Sequence, residues 1–485
     1  MGPSSTEFIH DQEEPGETVL LVDFEYPNDH RLPQNWPMIK KVYVIIVLSL
    51  FNIIGTIASS IMGPAQSEVA QQFGVSNEVA VLCTTLFLVG YIFGFLTFGP
   101  LSEKFGRKWP LILGIAISSL FNLMPALGTN ISTVVIGRFF AGFFGVSPVG
   151  VMGGITSDCF VMAQRGIAMA FAVCLVFSGP TFGPVVGGAI VGSTLDWRWT
   201  MWVVIIAGLG LCVIAALAFP ETYPPVILRK QTNILRKRYG NKNIRSALDK
   251  EGFSLQDIAR VYLIRPFWLF TTQPILALLT LYQSFLYGVL FLFYQSYPYA
   301  FGEIRGWETG IDTLPLLGIV IGVFLGTVGI IIYNQAYFRY HCHGPDGSFI
   351  PESRLPPMVF GGVIIPIGIF WYAWTAIPNI AWPSPVCASL LIGCGMYLLY
   401  IQGFNYIVDC YTSMANSALG VNGSMRSIFG AAFPLFATQM FHSLGVAYAT
   451  TILGAISVCL VPVPICFWYW GDRIRAWSSA KVAPV

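Results

Sequence analysis

Long apolar runs alternate with short polar connections along almost the whole chain. Most runs reach about 20 residues, and at about 1.5 Å per residue such a helix crosses the roughly 30 Å hydrocarbon core of a bilayer. The pattern predicts an all-α membrane protein with twelve transmembrane helices, at residues 42–64, 79–100, 109–128, 132–156, 167–192, 199–219, 267–295, 311–333, 358–378, 384–408, 415–440 and 446–470.

The longest internal polar segment divides these helices into two sets of six. Six plus six around a long connection is typical of membrane proteins built from an internal repeat, with a central cavity between the repeats. The first residues are polar and acidic and contain no signal-peptide pattern. The predicted organisation is a disordered acidic cytosolic tail at 1–41, an N-terminal six-helix half at 42–219, a cytosolic linker at 220–266, a C-terminal six-helix half at 267–470 and a cytosolic tail at 471–485.

Composition excludes a large soluble domain. Only 10% of the residues are charged and the mean hydropathy is +0.67, whereas about a quarter of the residues of soluble domains are charged. Lys and Arg concentrate in the connections on one side, while those on the other side carry only Arg198 and Arg305. The positive-inside rule therefore places both termini in the cytosol. We predict a multi-pass protein of the cell membrane, with an internal membrane such as the vacuole as the alternative.

The basic connections indicate membrane sidedness and not nucleic-acid binding. The ten cysteines and five histidines show no metal-ligand spacing, so no metal and no cofactor are predicted. The predicted partners are the lipid bilayer and a small molecule, and the chain is expected to be a monomer.

The fifth apolar run contains an unusual density of glycine and proline. Each Pro removes a backbone donor, and each Gly costs about 1 kcal/mol relative to Ala in a helix. In a membrane such a helix persists when its neighbours satisfy the freed carbonyls and pack closely against the bare backbone. Helical spacing puts the glycines on one face, which predicts either a surface against which another helix moves or a static packing seam. The residues are Gly179, Pro180, Gly183, Pro184, Gly187 and Gly188.

A charged turn separates the second and third apolar runs, within the sequence GPLSEKFGRK. Its acid and cations can pair with each other and with helix ends, or can serve only as topogenic charge. We found no clear second copy of it in the other half, where residues 333–354 occupy the corresponding place. The residues of this turn are Gly99, Glu103, Lys104, Gly106, Arg107 and Lys108, and further charges at inner helix ends are Asp158, Glu221 and Asp409.

Together these two segments resemble motif C and motif A of the major facilitator superfamily. Arg138 in GRFFAG resembles the arginine of motif B, and the sequences DWRW at 196–199 and PETY at 220–223 resemble signatures of the fungal twelve-span drug:proton antiporters. The resemblance covers about residues 36–477. It implies export of a small organic molecule by alternating access, a gating role for motif A and an antiporter role for motif C.

Only two ionisable side chains, Arg138 and Arg426, lie deep in predicted helices. Each either braces its own half or binds an anionic group of the substrate, because a guanidinium grips a carboxylate bidentately. No Asp or Glu is deep, which favours neutral or acidic substrates and leaves two driving forces open: proton antiport and the membrane potential acting on an anion. Other candidates for substrate binding or coupling are Asn52, Gln283, Tyr287, Gln402 and Asn405.

The predicted function is a secondary active transporter that exports a secondary metabolite, an organic acid or a xenobiotic. A uniporter or an importer of a nutrient or organic anion on the same fold is the alternative. A membrane-embedded enzyme is disfavoured because paired metal-binding carboxylates and a deep histidine with a partner are lacking. A nutrient sensor is disfavoured because the segment after Trp470 is short.

Overall fold

The computed structural model describes residues 9–14, 17–24, 29–240, 243–246, 264–342, 350–411 and 414–479. Most of these residues are helical. The helices of the N-terminal half that are long and apolar enough to cross a membrane are α1 (Met38–Ser60), α2 (Asn77–Phe105), α3 (Lys108–Leu127), α4 (Ile131–Cys159), α5 (Met162–Val191) and α6 (Trp199–Ala218). Those of the C-terminal half are α7 (Pro274–Ile304), α8 (Leu314–His341), α9 (Pro351–Thr375), α10 (Pro383–Cys410), α11 (415–444) and α12 (446–479).

Local sequence explains where several of these helices begin and bend. Pro274 and Pro383 occupy the first positions of α7 and α10, where the missing backbone donor has no cost. Asn130 caps α4 by accepting a hydrogen bond from the Thr133 amide at 2.8 Å, as expected of a residue just before a helix. The last turns of α7, at Pro298–Ile304, form a π-helix. Shorter helices outside the spans cover Gln66–Phe73, Pro224–Tyr239 and Arg265–Thr272.

The segment Ala415–Leu460 is helical on both sides of Gly445, the residue inside it with non-helical backbone angles. Its 46 residues would extend about 69 Å, more than twice the hydrocarbon core. Gly445 has φ 72° and ψ 165°, which turns the chain back. Gly430, before this turn, packs on Tyr287 of α7, whereas Gly454, after it, packs on Phe370 of α9. The segment therefore crosses twice, and the prediction of twelve helices in two six-helix halves is confirmed.

The two halves meet along two seams, α2 against α11 and α5 against α8. An even number of crossings places the N-terminal segment, the C-terminal segment and the linker at one end of the bundle. We call this the linker end and the opposite one the far end.

The N-terminal segment pairs with the linker. Strand β1 (Ile9–Glu14) runs antiparallel to β2 (Glu17–Val22), and β2 runs parallel to β3 (Ile244–Arg245). Six buried side chains join these strands to the linker helix, Pro224–Tyr239. They are Val22, Phe24, Leu32, Leu228, Leu235 and Ile244. The prediction of a disordered tail is therefore wrong over the described strands. The run TVLLV has strong β propensity, and the linker supplies a strand beside it; α1 also begins at Met38, earlier than predicted.

Candidate functional site

Three glycines of α5 lie directly against α1, which belongs to the same half. A Cβ atom added at Gly179 or Gly183 would lie 1.9 Å from Thr56 Oγ1 or 2.1 Å from Ser60 Oγ. At Gly187 it would lie 2.1 Å from the carbonyl oxygen of Ile61. Bare backbone on α5 is therefore required for the observed approach of the two helices.

The prolines of α5 explain a specific bond to α1. Pro184 has no N–H to donate to the carbonyl of Pro180, its partner one helical turn earlier. Ser60 Oγ donates to that carbonyl instead, at 2.6 Å. A neighbouring hydroxyl thus satisfies the backbone group that proline leaves without a partner, as a proline-containing helix in a membrane requires.

The fourth glycine of this motif faces a different neighbour. A Cβ atom at Gly188 would lie 2.7 Å from Thr313 Oγ1 in the other half. At Gly192, one turn later, it would lie 2.2 Å from the carbonyl oxygen of Thr309. The predicted single bare face is thus divided: the first three glycines lock α5 to α1 within one half, and Gly188 meets the other half at the far end.

At the linker end, the buried side chain of Arg107 connects three segments of the N-terminal half. Its Nε donates to Asp158 Oδ2 at 3.0 Å and its Nη1 donates to Ser102 Oγ at 2.7 Å. Its backbone amide donates to Glu221 Oε1 at 2.8 Å. Gly106 makes this possible, because it adopts φ 86° and a Cβ there would lie 2.3 Å from Glu221 Oε2.

The remaining charges of this turn divide between the two halves. Glu103 Oε1 accepts a hydrogen bond from Asn416 Nδ2 of α11, so it links α2 to the C-terminal half. Lys108 Nζ donates to the Ala216 carbonyl at 3.0 Å within its own half. Lys104 lies 5.4 Å from the centre of the Phe105 ring.

The C-terminal half contains a counterpart that the sequence analysis missed. Arg354 at the start of α9 pairs with Asp409 near the end of α10, as Arg107 at the start of α3 pairs with Asp158 near the end of α4. A second pair joins Arg475 of α12 to Glu352, at 2.9 Å. The positions of these residues in the sequence could have revealed the counterpart. Each half has an arginine at the start of its third helix and an aspartate one residue before the end of its fourth.

Arg138 is fully buried and its donors are used within its own half. Its Nε donates to the Cys83 carbonyl at 3.0 Å, and its Nη2 donates to the Ala58 carbonyl at 2.6 Å. Its Nη1 lies 3.3 Å from Asn122 Oδ1, and its guanidinium sits 4.3 Å from the centre of the Phe87 ring. These contacts tie α4 to α1, α2 and α3, which favours the bracing role.

Arg426 has a contrasting environment. It is 6% exposed, and within the described part of the chain it has no hydrogen-bond acceptor, its Nε being buried without a partner. Four aromatic rings surround the guanidinium, with centres 4.8 to 5.9 Å away: Phe95 of α2, Tyr287 of α7, and Tyr400 and Phe404 of α10. We call these four rings the aromatic cage.

Among the other deep polar candidates, Gln283 is tied to neighbouring helices, whereas Gln402 and Asn405 lie on the same helix, α10. Gln283 Nε2 lies 3.4 Å from the carbonyls of Leu399 and Tyr400, and its Oε1 accepts from Asn422 Nδ2 at 2.8 Å. Asn405 Nδ2 lies 3.4 Å from Gln402 Oε1. Asn52 on α1 is fully buried, and neither polar atom of its side-chain amide has a hydrogen-bond partner among the residues that the structure describes.

Described residues of both halves line a central cavity and a far-end cavity. The central cavity, of about 60 Å³, is beside Arg426 and is lined by α2, α4, α5, α10 and α11. The far-end cavity, of about 460 Å³, is lined by the α1–α2 connection and by α2, α7, α11 and the α7–α8 connection. Contacts between the halves close the bundle at both ends: Glu103 with Asn416 at the linker end, and Gly192 against Thr309 at the far end. Nearer the middle of α10, Tyr397 Oη donates to the Ala170 carbonyl of α5. The described residues contain no His, Cys, Asp and Glu group able to hold a metal ion.

Comparison with known families agrees with this architecture. The family model described as Major Facilitator Superfamily matches residues 48–434. The chain belongs to the Major Facilitator Superfamily. As a member it is a multi-pass membrane transporter of small molecules and not an enzyme.

Relatives of this superfamily member match over almost its whole length. It is 42% identical to the MFS-type transporter oryN of Aspergillus oryzae over 96% of this chain and 91% of that protein. It is 41% identical to the citrinin biosynthesis cluster MFS transporter mrr1 of Monascus ruber, over 95% of this chain and 92% of that protein. It is 39% identical to the ascochitine biosynthesis cluster MFS transporter of Didymella fabae, over 99% of this chain and 91% of that protein.

Solved structures share the fold of this superfamily member at low identity. The proton:xylose symporter XylE, bound to 6-bromo-6-deoxy-D-glucose, has a TM-score of 0.62 at 16% identity, over 90% of this chain and 96% of its own. A bacterial homologue of the human lysosomal transporter Spinster, inward-facing and unoccupied, has a TM-score of 0.60 at 12% identity, over 93% of this chain and 100% of its own.

Proposed function

We propose that the protein exports a small organic product of secondary metabolism by alternating access. The central cavity beside Arg426 carries this proposal, because it lies between two halves that non-covalent contacts hold together at both ends. Relatives named for citrinin and ascochitine biosynthesis clusters support the substrate class.

The contacts divide into a set that holds each half rigid and a set that opens. Within the N-terminal half, the α1–α5 seam at Gly183 and the buried Arg138 bonds keep the helices together. Between the halves, the linker end is closed by side-chain bonds such as Glu103 with Asn416, and the far end by van der Waals contact at Gly192. If the linker-end contacts and the far-end contacts are lost in alternation, the central cavity is exposed to one side of the membrane at a time.

The charges at the linker end set the orientation, and the contact of Glu103 with Asn416 acts as the gate. The positive-inside rule assigns the linker end to the cytosol, and we propose the cell membrane as the location. Arg107 with Asp158 and Arg354 with Asp409 then form matching buried pairs at the cytosolic ends of the two halves. A buried pair resists separation, because breaking it leaves an uncompensated charge. These pairs keep each half intact while the Glu103 contact opens and closes.

We propose that proton antiport drives export. A membrane potential acting on an anionic substrate is the competing driving force, at about 2.3 kcal/mol per charge per 100 mV. Proteoliposomes separate the two: with antiport, a pH gradient at zero potential drives uptake of product against its gradient. Transport that follows an imposed potential and ignores the pH gradient would exclude antiport.

The direct test of export is a deletion strain of the source organism. We expect the exported product to accumulate in the cells and to fall in the medium, and re-expression of the wild-type chain to restore its distribution. Counterflow of the accumulated compound in proteoliposomes then identifies it as the substrate. Unchanged metabolite levels on both sides of the membrane would contradict the proposal.

A further inference from the structure

We infer that Arg426 and the aromatic cage form a binding site for the carboxylate of a planar aromatic acid. This inference rests on the proposed function, since it names the class of molecule that the central cavity accepts. It depends on three observations: a buried cation without a hydrogen-bond acceptor in the described part of the chain, aromatic rings from both halves, and a narrow apolar cavity beside them.

Arg138 and Arg426, the two arginines deep in membrane-spanning helices, allow an internal comparison. A guanidinium has five N–H donors, and leaving them unsatisfied in a buried site costs free energy. Arg138 meets this requirement with the carbonyls of Cys83 and Ala58 and the side chain of Asn122. Arg426 is almost equally buried, yet aromatic rings surround it and no hydrogen-bond acceptor for it lies among the described residues. A ligand that brings an acceptor would complete the Arg426 site.

The shape of the central cavity determines which acceptor fits. Its wall includes Phe404 and the flexible thioethers of Met152 and Met169. Four glycines also line it, at positions 99, 150, 153 and 420, and bare backbone leaves flat surfaces. A flat ring between such walls buries apolar area and can stack on Phe404, while its carboxylate reaches the guanidinium in the bidentate geometry that arginine favours. A small hydrated anion would leave the apolar walls unused.

The cage also connects ligand binding to closure of the halves. Phe95 belongs to α2 of the N-terminal half, whereas Tyr287 and Phe404 belong to the C-terminal half. A ring held between them contacts both halves at once. At about 60 Å³ the cavity is smaller than one that accepts benzene, about 150 Å³, so the halves must separate for the acid to enter.

The test uses the purified full-length protein and three probes of similar size. The probes are 1-naphthoate, its neutral amide 1-naphthamide, and the non-planar acid decahydro-1-naphthoate, with affinities measured by calorimetry. We expect the wild-type protein to bind naphthoate at least about thirtyfold more tightly than the amide, the loss typical of removing one partner of a buried charge pair. The non-planar acid should bind about two- to tenfold more weakly than naphthoate, the contribution of ring stacking.

Variants assign these preferences to residues. Arg426→Gln should abolish the preference for acid over amide, and Arg426→Lys should restore part of it, since it keeps the charge and loses the fork. Phe404→Leu should reduce the preference for the planar acid and leave the preference for acid over amide intact. Arg473→Gln, which removes an exposed arginine, is the matched control and should bind like the wild type.

Several outcomes would overturn the inference: equal wild-type affinity for acid and amide, no measurable binding of any probe to folded protein, or an acid preference that survives in Arg426→Gln. Failure of the proposed function has a different signature. If naphthoate selectivity is present but the deletion strain shows no redistribution of metabolites, the site stands and the export function fails. If Arg426→Gln exports the product at the wild-type rate, export stands and the aromatic-acid site fails.

Discussion

Substitution of Gly183 by alanine tests whether the α1–α5 seam is as tight as the structure indicates. The added Cβ would lie 2.1 Å from Ser60 Oγ, 2.9 Å from the Ile57 carbonyl oxygen and 3.0 Å from the Ile61 amide nitrogen. Carbon atoms do not approach non-bonded heavy atoms so closely, so Ser60 must rotate away and the backbones of α1 and α5 must also separate. Rotation removes the bond from Ser60 Oγ to the Pro180 carbonyl, which Pro184 cannot replace.

The expected magnitude follows from these two consequences. Overpacking costs about 1 to 3 kcal/mol, and a buried carbonyl left unsatisfied costs about 1 to 3 kcal/mol. Gly183→Ala should therefore lower the free energy of unfolding by about 2 to 6 kcal/mol. Ser60→Ala alone should lose only the hydrogen-bond part. The double variant should be less unstable than the sum of the two, because the closest contact of the new Cβ is then gone.

The assay is reversible unfolding of purified protein in mixed detergent micelles, followed by circular dichroism. Gly210→Ala on α6 is the matched control, because a Cβ there meets nothing within 4 Å. It should be neutral or stabilising by about 1 kcal/mol, the helix preference for Ala over Gly. Equal stability of Gly183→Ala and Gly210→Ala would refute the reasoning about this seam.

Three further predictions address the far end and the linker end. Gly192→Ala places a Cβ 2.2 Å from the Thr309 carbonyl oxygen and should shift the population toward far-end-open states, seen as longer spin-label distances across the far end; an unchanged distribution would contradict this. Arg107→Lys keeps the charge but loses the fork that reaches Asp158, and it should lower the free energy of unfolding by about 1.5 to 3 kcal/mol. Lys108→Arg is the control. If Arg107→Lys is as stable as the wild type, the Arg107–Asp158 pair serves only as topogenic charge. Burial raises the pKa of Asp312 above its ordinary value, so stability present at low pH is lost as the pH rises through that raised pKa. Asp312→Asn should lack this loss. Identical pH profiles of thermal unfolding for the wild type and the variant would contradict the prediction.

The apolar pattern was sufficient to predict the membrane helices, because spanning length and hydropathy are local properties of a sequence. The pairing of strands Glu17–Val22 and Ile244–Arg245 could not be predicted. It joins segments more than 200 residues apart, and only the folded bundle brings them to the same end. Acidic composition alone therefore gave the wrong result for the described part of the tail.

The candidate site shows the same division. The sequence identified Arg138 and Arg426 as equally unusual, since both are charges in apolar helices. What distinguishes them is the set of acceptors around each guanidinium, and these come from other helices. In the same way, the periodicity of α5 placed Gly187 and Gly188 together, while the structure gives them neighbours in different halves.

The turn at Gly445 has a mechanical consequence for the last two helices. Other neighbouring spans are joined by longer connections, but α11 and α12 are joined directly through one non-helical residue, Gly445. A displacement of α11 along the membrane normal therefore acts at once on the first segment of α12, because no loop lies between them to absorb it. Since Arg426 is on α11, a movement of α11 about a ligand held in the central cavity would also displace the start of α12 at the far end.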